Sequence, residues 1–343
     1  LRADLNYLLD HLPETRHGEL IQLALAVIVR MAGEDIDRLD WKICNGALRD
    51  MEQAFTTFYP YRHIRKIAIF GSARIGTETP EYQMAVEFAR RVTQAGFMVI
   101  TGAGGGIMQA GNEGAGREKS FGLNIQLPFE QGANPFIEGD RKLVPFKYFF
   151  TRKLFFLRES DALALFPGGF GTQDEAFECI TLSQTGKSAP MPLVLMDVPG
   201  GNYWHDWNDY IHKQLLRRGL ISPEDPSLYT ITDDIDVACD AIASFYRVFH
   251  SCRYVGNRLV LRLNSELTDA EVAQLNRDYQ DILVKGQIEK SLPLPQEAQE
   301  VSLGVSRLVL QFNQRDLGRL YQLIAEINRI GIPPEEEVHP ERK

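Results

Sequence analysis

Three short apolar runs, each emptying into a glycine-rich turn, constrain this chain more than anything else in it. Lys66–Phe70 runs into Gly71-Ser72-Ala73-Arg74, and Phe97–Ile100 into Thr101-Gly-Ala-Gly-Gly-Gly106. Ala162–Phe166 runs into Pro167-Gly-Gly-Phe-Gly-Thr-Gln-Asp-Glu175. Short apolar runs bounded by glycine read as strands buried on both faces. Helical patterns lie between them. Glu81–Ala95 carries Met84, Ala85, Phe88, Ala89 and Val92 at helical spacing and is ended by Gly96. A helix with Met108, Ala110 and Ala115 follows the second turn, and Ala176–Ser183 reads as the helix after the third. Gly122–Gln126 and Pro192–Met196 are further strands, and Ile211–Leu216 and Ile235–Val248 closing helices. This alternation predicts an α/β fold, a doubly wound, Rossmann-like parallel sheet with helices on both faces. Ligands bind such sheets at the carboxyl ends of the strands, where all three glycine turns fall.

The flanks read differently. Residues 1–62 form a helical extension: Leu20, Ile21, Leu23, Ala24, Val27, Ile28 and Met31 share an apolar face, and Trp41–Phe58 continues a helical pattern. No chemistry-bearing cluster lies there, so packing or dimerisation is the expected role. Residues 63–250 hold the alternating core. Residues 251–343 form a small α+β unit and tail, with strands at Arg258–Leu263, Gly286–Leu294 and Arg307–Phe312 and helices at Thr268–Leu283 and Asp316–Ile330. Its order resembles that of ferredoxin-like regulatory domains. The Pro- and Glu-rich stretch from Pro333 is expected to fray.

Charge and cysteine usage narrow the partners. A net charge of −9 without a compensating Lys/Arg block argues against nucleic acid as the main partner. No apolar run spans a membrane and no signal peptide is evident, which predicts a cytoplasmic protein. Cys44, Cys179, Cys239 and Cys252 have neither metal nor disulfide spacing, and Cys179 reads as a buried structural thiol. His205 and His212 stand too far apart to share a metal. Neither a metal nor a cofactor is expected.

The third turn is where chemistry is expected. Gly168, Gly169 and Gly171 let the backbone turn tightly and approach a ligand closely. The following helix offers unpaired N–H groups and a positive dipole end, a site for phosphate. Glu175 is expected in the first turn of that helix, within reach of whatever the phosphate anchors. Gly104 and Gly105 in the second turn should lie beside it, one turn holding phosphate and the other a sugar edge. Arg152 and Lys153 begin the helix before the third strand. Arg152 cannot donate a proton at neutral pH, but it can bind phosphate or ribose oxygens and hold Glu175 ionised. Asp174 suits either the site or the helix dipole. Two nucleotide motifs fail. Gly102-x-Gly104-x-x leads to Ile107 rather than glycine, and Gly186-Lys187-Ser188 has Thr181 where an NTPase loop needs glycine.

Pro167–Glu175, with Arg152-Lys153 before it, resembles the Lonely Guy (LOG) family of nucleoside-monophosphate phosphoribohydrolases, often called lysine decarboxylases. The family pattern P-G-G-x-G-T-x-x-E is matched throughout, Phe170 filling its variable position. Thr101–Met108 resembles the family's glycine-rich turn, and Gly71-Ser72 its first strand end. The resemblance covers roughly Lys66–Ala243. The longer ends make the chain similar to the larger bacterial subgroup, and Met108-Gln109-Ala110-Gly111 departs from the Met-Gly-Ala of compact members.

The resemblance implies hydrolysis of the N-glycosidic bond of a nucleoside 5′-monophosphate, AMP-like or a cytokinin riboside, to free base and ribose 5-phosphate. Gly169, Gly171 and Thr172 would hold phosphate, Glu175 would stabilise the ribosyl cation and activate water, and Arg152 would orient substrate. Lys153, Thr181 and Glu130 would line the pocket. A site completed across a homodimer, near Phe146, Tyr148, Phe149 and Phe150, is also implied. Nothing marks a Schiff-base lysine, so the decarboxylase label is set aside. Molybdenum-cofactor carriers share this fold and its glycine turns. A non-catalytic carrier or a nucleotide sensor therefore stays open as the alternative.

Overall fold

The computed structural model describes residues 2–126, 132–297 and 304–331. Two compact units divide the chain, Leu1–Met51 and Glu52–Lys343. The first consists of helices α1 (Arg2–His11) and α2 (Gly18–Gly33) and the start of α3 (Arg38–Phe58). Among the described residues no helix is long and apolar enough to cross a membrane.

In the second unit the parallel sheet forms as expected. Its strands are β1 (Lys66–Phe70), β2 (Met98–Thr101), β3 (Ser120–Ile125), β4 (Leu143–Phe146), β5 (Ala162–Leu165), β6 (Leu193–Met196) and β7 (Thr230–Thr232). They stand in the order β4-β3-β2-β1-β5-β6-β7, every pair parallel. The chain runs outward from β1 to β4, then returns to the other side of β1 with β5. That reversal is a topological switch point, and two of the glycine turns sit at its carboxyl edge. The sequence pattern did not anticipate β4 or β7. Leu143-Val-Pro-Phe146 carries a proline, which an edge strand tolerates, and Thr230-Ile-Thr232 is only three residues long.

Helices cover both faces. On one, α4 (Pro80–Gln94), α5 (Ile107–Ala115) and α9 (Ile235–Phe245) pack Phe88, Ile107 and Ile242 against Ile67, Ile69, Val99, Ala164 and Val194. Thr79 caps α4 by accepting from the Tyr82 N–H at 3.3 Å, Pro80 occupies its first position, and Gly96 at φ 94° ends it. On the other face lie α6 (Phe149–Glu159) and the end of α3. There Phe70 meets Phe156 at 4.8 Å between ring centres, and Phe58 stacks on Phe121 at 4.5 Å. Helix α7 (Phe170–Gln184) follows the third turn. Ile211–Leu216, expected as a separate helix, is a π-helical continuation of α8 (Tyr203–Tyr210).

The closing helix α9 stops at Phe245 rather than Val248. Asn328 takes the next N–H groups instead: its Oδ1 accepts from Val248 and Phe249 at 2.8 and 2.9 Å while its Nδ2 donates to the Phe245 carbonyl. A partner 80 residues away thus releases the chain into β8 (Phe249–Val255). With β9 (Arg258–Leu263), β10 (Leu283–Lys290) and β11 (Ser306–Phe312), β8 forms an antiparallel sheet in the order β10-β11-β9-β8. Helices α10 (Asp269–Asp278) and α11 (Leu317–Ile330) follow the two hairpins. The order is strand–strand–helix repeated twice, not the ferredoxin-like order expected. The undetected β8 accounts for the difference. Leu259, Leu261, Leu308 and Leu310 face Leu320, Leu323 and Ile324 in this second core. The expected fraying stretch from Pro333 lies outside the described residues.

Candidate functional site

The glycine turns meet through the backbone of one residue. The Ser72 N–H donates to the Pro167 carbonyl at 3.1 Å, and the Ser72 carbonyl accepts from the Ile107 N–H at 3.1 Å. The turn after β1 is thereby tied to both of the others. No side chain fits in these contacts. A Cβ on Gly106, whose φ is +61°, would stand 2.2 Å from the Ser72 carbonyl oxygen. A Cβ on Gly168 would stand 2.1 Å from Thr172 Oγ1 and 3.0 Å from the Ser72 nitrogen. At Gly169 and Gly171, by contrast, a Cβ would meet nothing within 4 Å. These two glycines face open space.

That space is a cleft of about 800 Å³ at the carboxyl ends of the strands. Of the residues singled out from the sequence it is lined by Gly71, Ser72, Gly104, Arg152, Gly168, Gly169, Phe170, Gly171, Thr172, Asp174 and Glu175. Gly105, Lys153 and Thr181 are not part of this lining, and Thr181 is exposed on α7. Glu130 lies outside the described residues. Phe149 and Phe156 from α6, with Ile125 and Met108, add an apolar wall that the glycine motifs did not reveal. Of the aromatic run before Arg152, Phe146 is core, whereas Phe149 and Phe150 are more than half exposed.

Helix α7 begins at Phe170, six residues before the expected start at Ala176. Glycine is a poor helix former, so Phe170-Gly-Thr-Gln-Asp-Glu175 does not read as helix locally. The first turn is held from outside. Tyr203 Oη donates to the Gly168 carbonyl at 2.5 Å and in turn accepts from Gln173 Nε2 at 2.6 Å. Tyr203 lies 35 residues from Gly168, and no local signal points to it. The helix is capped by Gly169, which has no side chain to accept from the first N–H groups. Those donors are left to a ligand in the cleft, together with the positive end of the helix dipole.

The early start also moves Glu175 from the expected first turn into the second. There it is buried, 8% exposed, and its Oε2 has no hydrogen-bond partner among the described residues. Lys153 Nζ stands 3.9 Å from its other oxygen. Burial pushes the Glu175 carboxyl up to about 7, against the opposing pull of the Lys153 and then the Arg152 charge. Arg152 was expected to hold this carboxyl ionised. Desolvation outweighs its pull, and the guanidinium bonds two carbonyls: Nε donates to the Leu123 carbonyl at 2.7 Å and Nη2 reaches the Gly102 carbonyl at 3.4 Å. Lys153 pairs with Asp174 at 2.7 Å and also bonds Glu178, so it bridges α6 and α7 rather than entering the cleft. Asp174 is largely exposed at the rim. Cys179, one turn beyond Glu175, is buried with its thiol pushed up by desolvation, as a structural thiol would be.

Such a site can hold an anion at the start of α7 and place a carboxyl that gains or loses a proton near neutrality beside it. A family model described as "possible lysine decarboxylase" matches residues 106–242, which include the third turn. A rice protein (Oryza sativa subsp. japonica), "probable cytokinin riboside 5′-monophosphate phosphoribohydrolase LOGL3", is 29% identical over 173 residues, 46% of this chain and 74% of its own length. LOG2 of Arabidopsis thaliana, a "cytokinin riboside 5′-monophosphate phosphoribohydrolase", is 27% identical over 40% of this chain and 64% of its own. This chain is weakly similar to LOG phosphoribohydrolases. The likeness is at the level of the family and spans less than half of the chain. Among solved structures, the molybdenum cofactor binding protein of Rippkaea orientalis aligns over 53% of this chain and 96% of its own, at 15% identity and a TM-score of 0.37.

Proposed function

We propose that the cleft binds a nucleoside 5′-monophosphate and hydrolyses its N-glycosidic bond, releasing free base and ribose 5-phosphate. The observation that carries this reading is Glu175, a buried carboxyl poised at about 7 and set one turn inside a glycine-capped helix start. Homology to phosphoribohydrolases supports the substrate class.

In this reading the N–H groups of Phe170, Gly171 and Thr172 receive the 5′-phosphate, and the Thr172 hydroxyl adds a donor. The ribose then lies toward Glu175. As the C1′–N bond breaks, its electron pair leaves with the base and positive charge develops on the ribosyl ring. The ionised Glu175 stabilises that charge and takes a proton from the water whose oxygen bonds C1′. A proton is returned to the departing base. Arg152, fixed by the Leu123 carbonyl, orients the nucleotide and offsets its charge. The apolar wall of Ile125, Phe149 and Phe156 suits a base. AMP and cytokinin riboside monophosphates are the candidates to rank.

The test is chromatographic product analysis after incubation with AMP, GMP, CMP, UMP, IMP and isopentenyladenosine monophosphate, with Glu175→Gln beside wild type. Free base from wild type alone is the expected result. Because the base form of Glu175 is needed, kcat/KM should rise with pH and level off above about 7. Tight nucleotide binding without any base released would instead identify a carrier or sensor.

A further inference from the structure

Helix α2 carries more apolar surface than a solitary helix can leave in water. Of its sixteen residues only Glu19, Gln22 and Arg30 are polar, yet none of the sixteen is buried. Ile21, Leu25 and Ile28 are half-buried along one side. Leu20, Leu23 and Val27, spaced to form one stripe, are 66%, 64% and 45% exposed on another. A helix apolar nearly all round is normally covered on every side.

The charges indicate what covers it. Glu19 and Arg30 are eleven residues apart, close to three whole turns, so both border the stripe on the same side. They stand about 16 Å apart along the axis, at opposite ends of the stripe. We infer that α2 packs antiparallel on α2 of a second copy of this chain, about a two-fold axis passing near Ala24 and Leu25. That axis sets each Glu19 against Arg30 of the other copy, twice, and stacks the two apolar stripes between the ion pairs. The antiparallel arrangement also opposes the helix dipoles favourably. A parallel, in-register pair would carry Glu19 and Arg30 of the second copy to the opposite flank, with like charges at each level, and would form neither ion pair. A stable interface buries on the order of 1,200 Å² or more, beyond what one stripe supplies. Tyr7, Leu9 and Leu39, each about half exposed or more, offer further apolar surface in the same unit.

Cysteine cross-linking of the full chain tests the pairing independently of any contact elsewhere. Glu19→Cys and Arg30→Cys are prepared separately, mixed, allowed to exchange subunits and mildly oxidised, with the unsubstituted chain as background for its four native cysteines. The mixture should give a covalent dimer, and each variant alone should stay at background. Adding Leu23→Glu to both should abolish the cross-link. With charges in place of cysteines, E19R or R30E alone should weaken dimerisation measured by light scattering, and the E19R/R30E double variant should restore it. Cross-linking of Glu19→Cys with itself would mean a parallel pair and overturn the inference. So would no cross-link in the mixture, whether the chain stays apart or α2 is taken up by neutral lipid vesicles in a flotation assay.

Discussion

Replacing Glu175 with glutamine should abolish hydrolysis and stabilise the folded protein at the same time. The carboxyl titrates at about 7 in the folded chain, against an ordinary value of 4.5, because burial disfavours its charge. Below the ordinary value both folded and unfolded states hold the proton, and stability is unaffected. Between 4.5 and about 7 the unfolded state releases it while the folded state keeps it, so stability falls as pH rises. Above the folded value the full penalty is present, on the order of 3 kcal/mol, since each tenfold change in proton affinity is worth about 1.4 kcal/mol. Glutamine has nearly the same shape and no charge, so it removes the slope. Urea denaturation of both proteins at pH 5 and pH 8 isolates the effect, since any fixed difference in packing cancels. The stability advantage of Glu175→Gln should grow by about 2–3 kcal/mol from the lower pH to the higher. An unchanged difference would show that Glu175 is solvated in the folded protein, and the reading of it as a poised base would fail with it.

Lys153→Met removes the charge that most opposes the effect of burial, so the acid limb of the pH–rate profile should move to a midpoint above about 7. A profile that stays put would mean Lys153 does not act on Glu175. Gly168→Ala forces a methyl to within 2.1 Å of Thr172 Oγ1, so the third turn must shift. Steady-state kinetics should show a loss of about 10²-fold in kcat/KM, with a stability loss of about 1–3 kcal/mol in denaturation. In the antiparallel unit, Glu297 is fully buried between Arg262 at 2.6 Å and Arg307 at 3.2 Å. Glu297→Ala strips two buried guanidinium groups of their shared carboxylate and should cost about 3–5 kcal/mol, read as a lowered thermal midpoint with the nucleotide site left intact.

Elements with local signals were legible in the sequence. The strands ending at Phe70 and Leu165 are continuous apolar runs, and helix α4 has both its apolar spacing and its terminating glycine in plain view. What was not legible depended on distant partners. Helix α7 starts at Phe170 because Tyr203 holds the Gly168 carbonyl, and α9 stops at Phe245 because Asn328 takes the following N–H groups. Strand β8 was hidden for the same reason, and with it the connectivity of the antiparallel sheet.

The same division runs through the site. The glycines, Arg152 and Glu175 could be named from the sequence because close backbone approach and phosphate binding demand particular residue types at fixed spacing. Which of them share the cleft, and that Lys153 turns instead to Asp174 and Glu178, followed only from the packing of α6 against α7. The protonation of Glu175 is likewise a tertiary property. Its identity is written in the chain, but its affinity for a proton is set by the water that folding takes away from it.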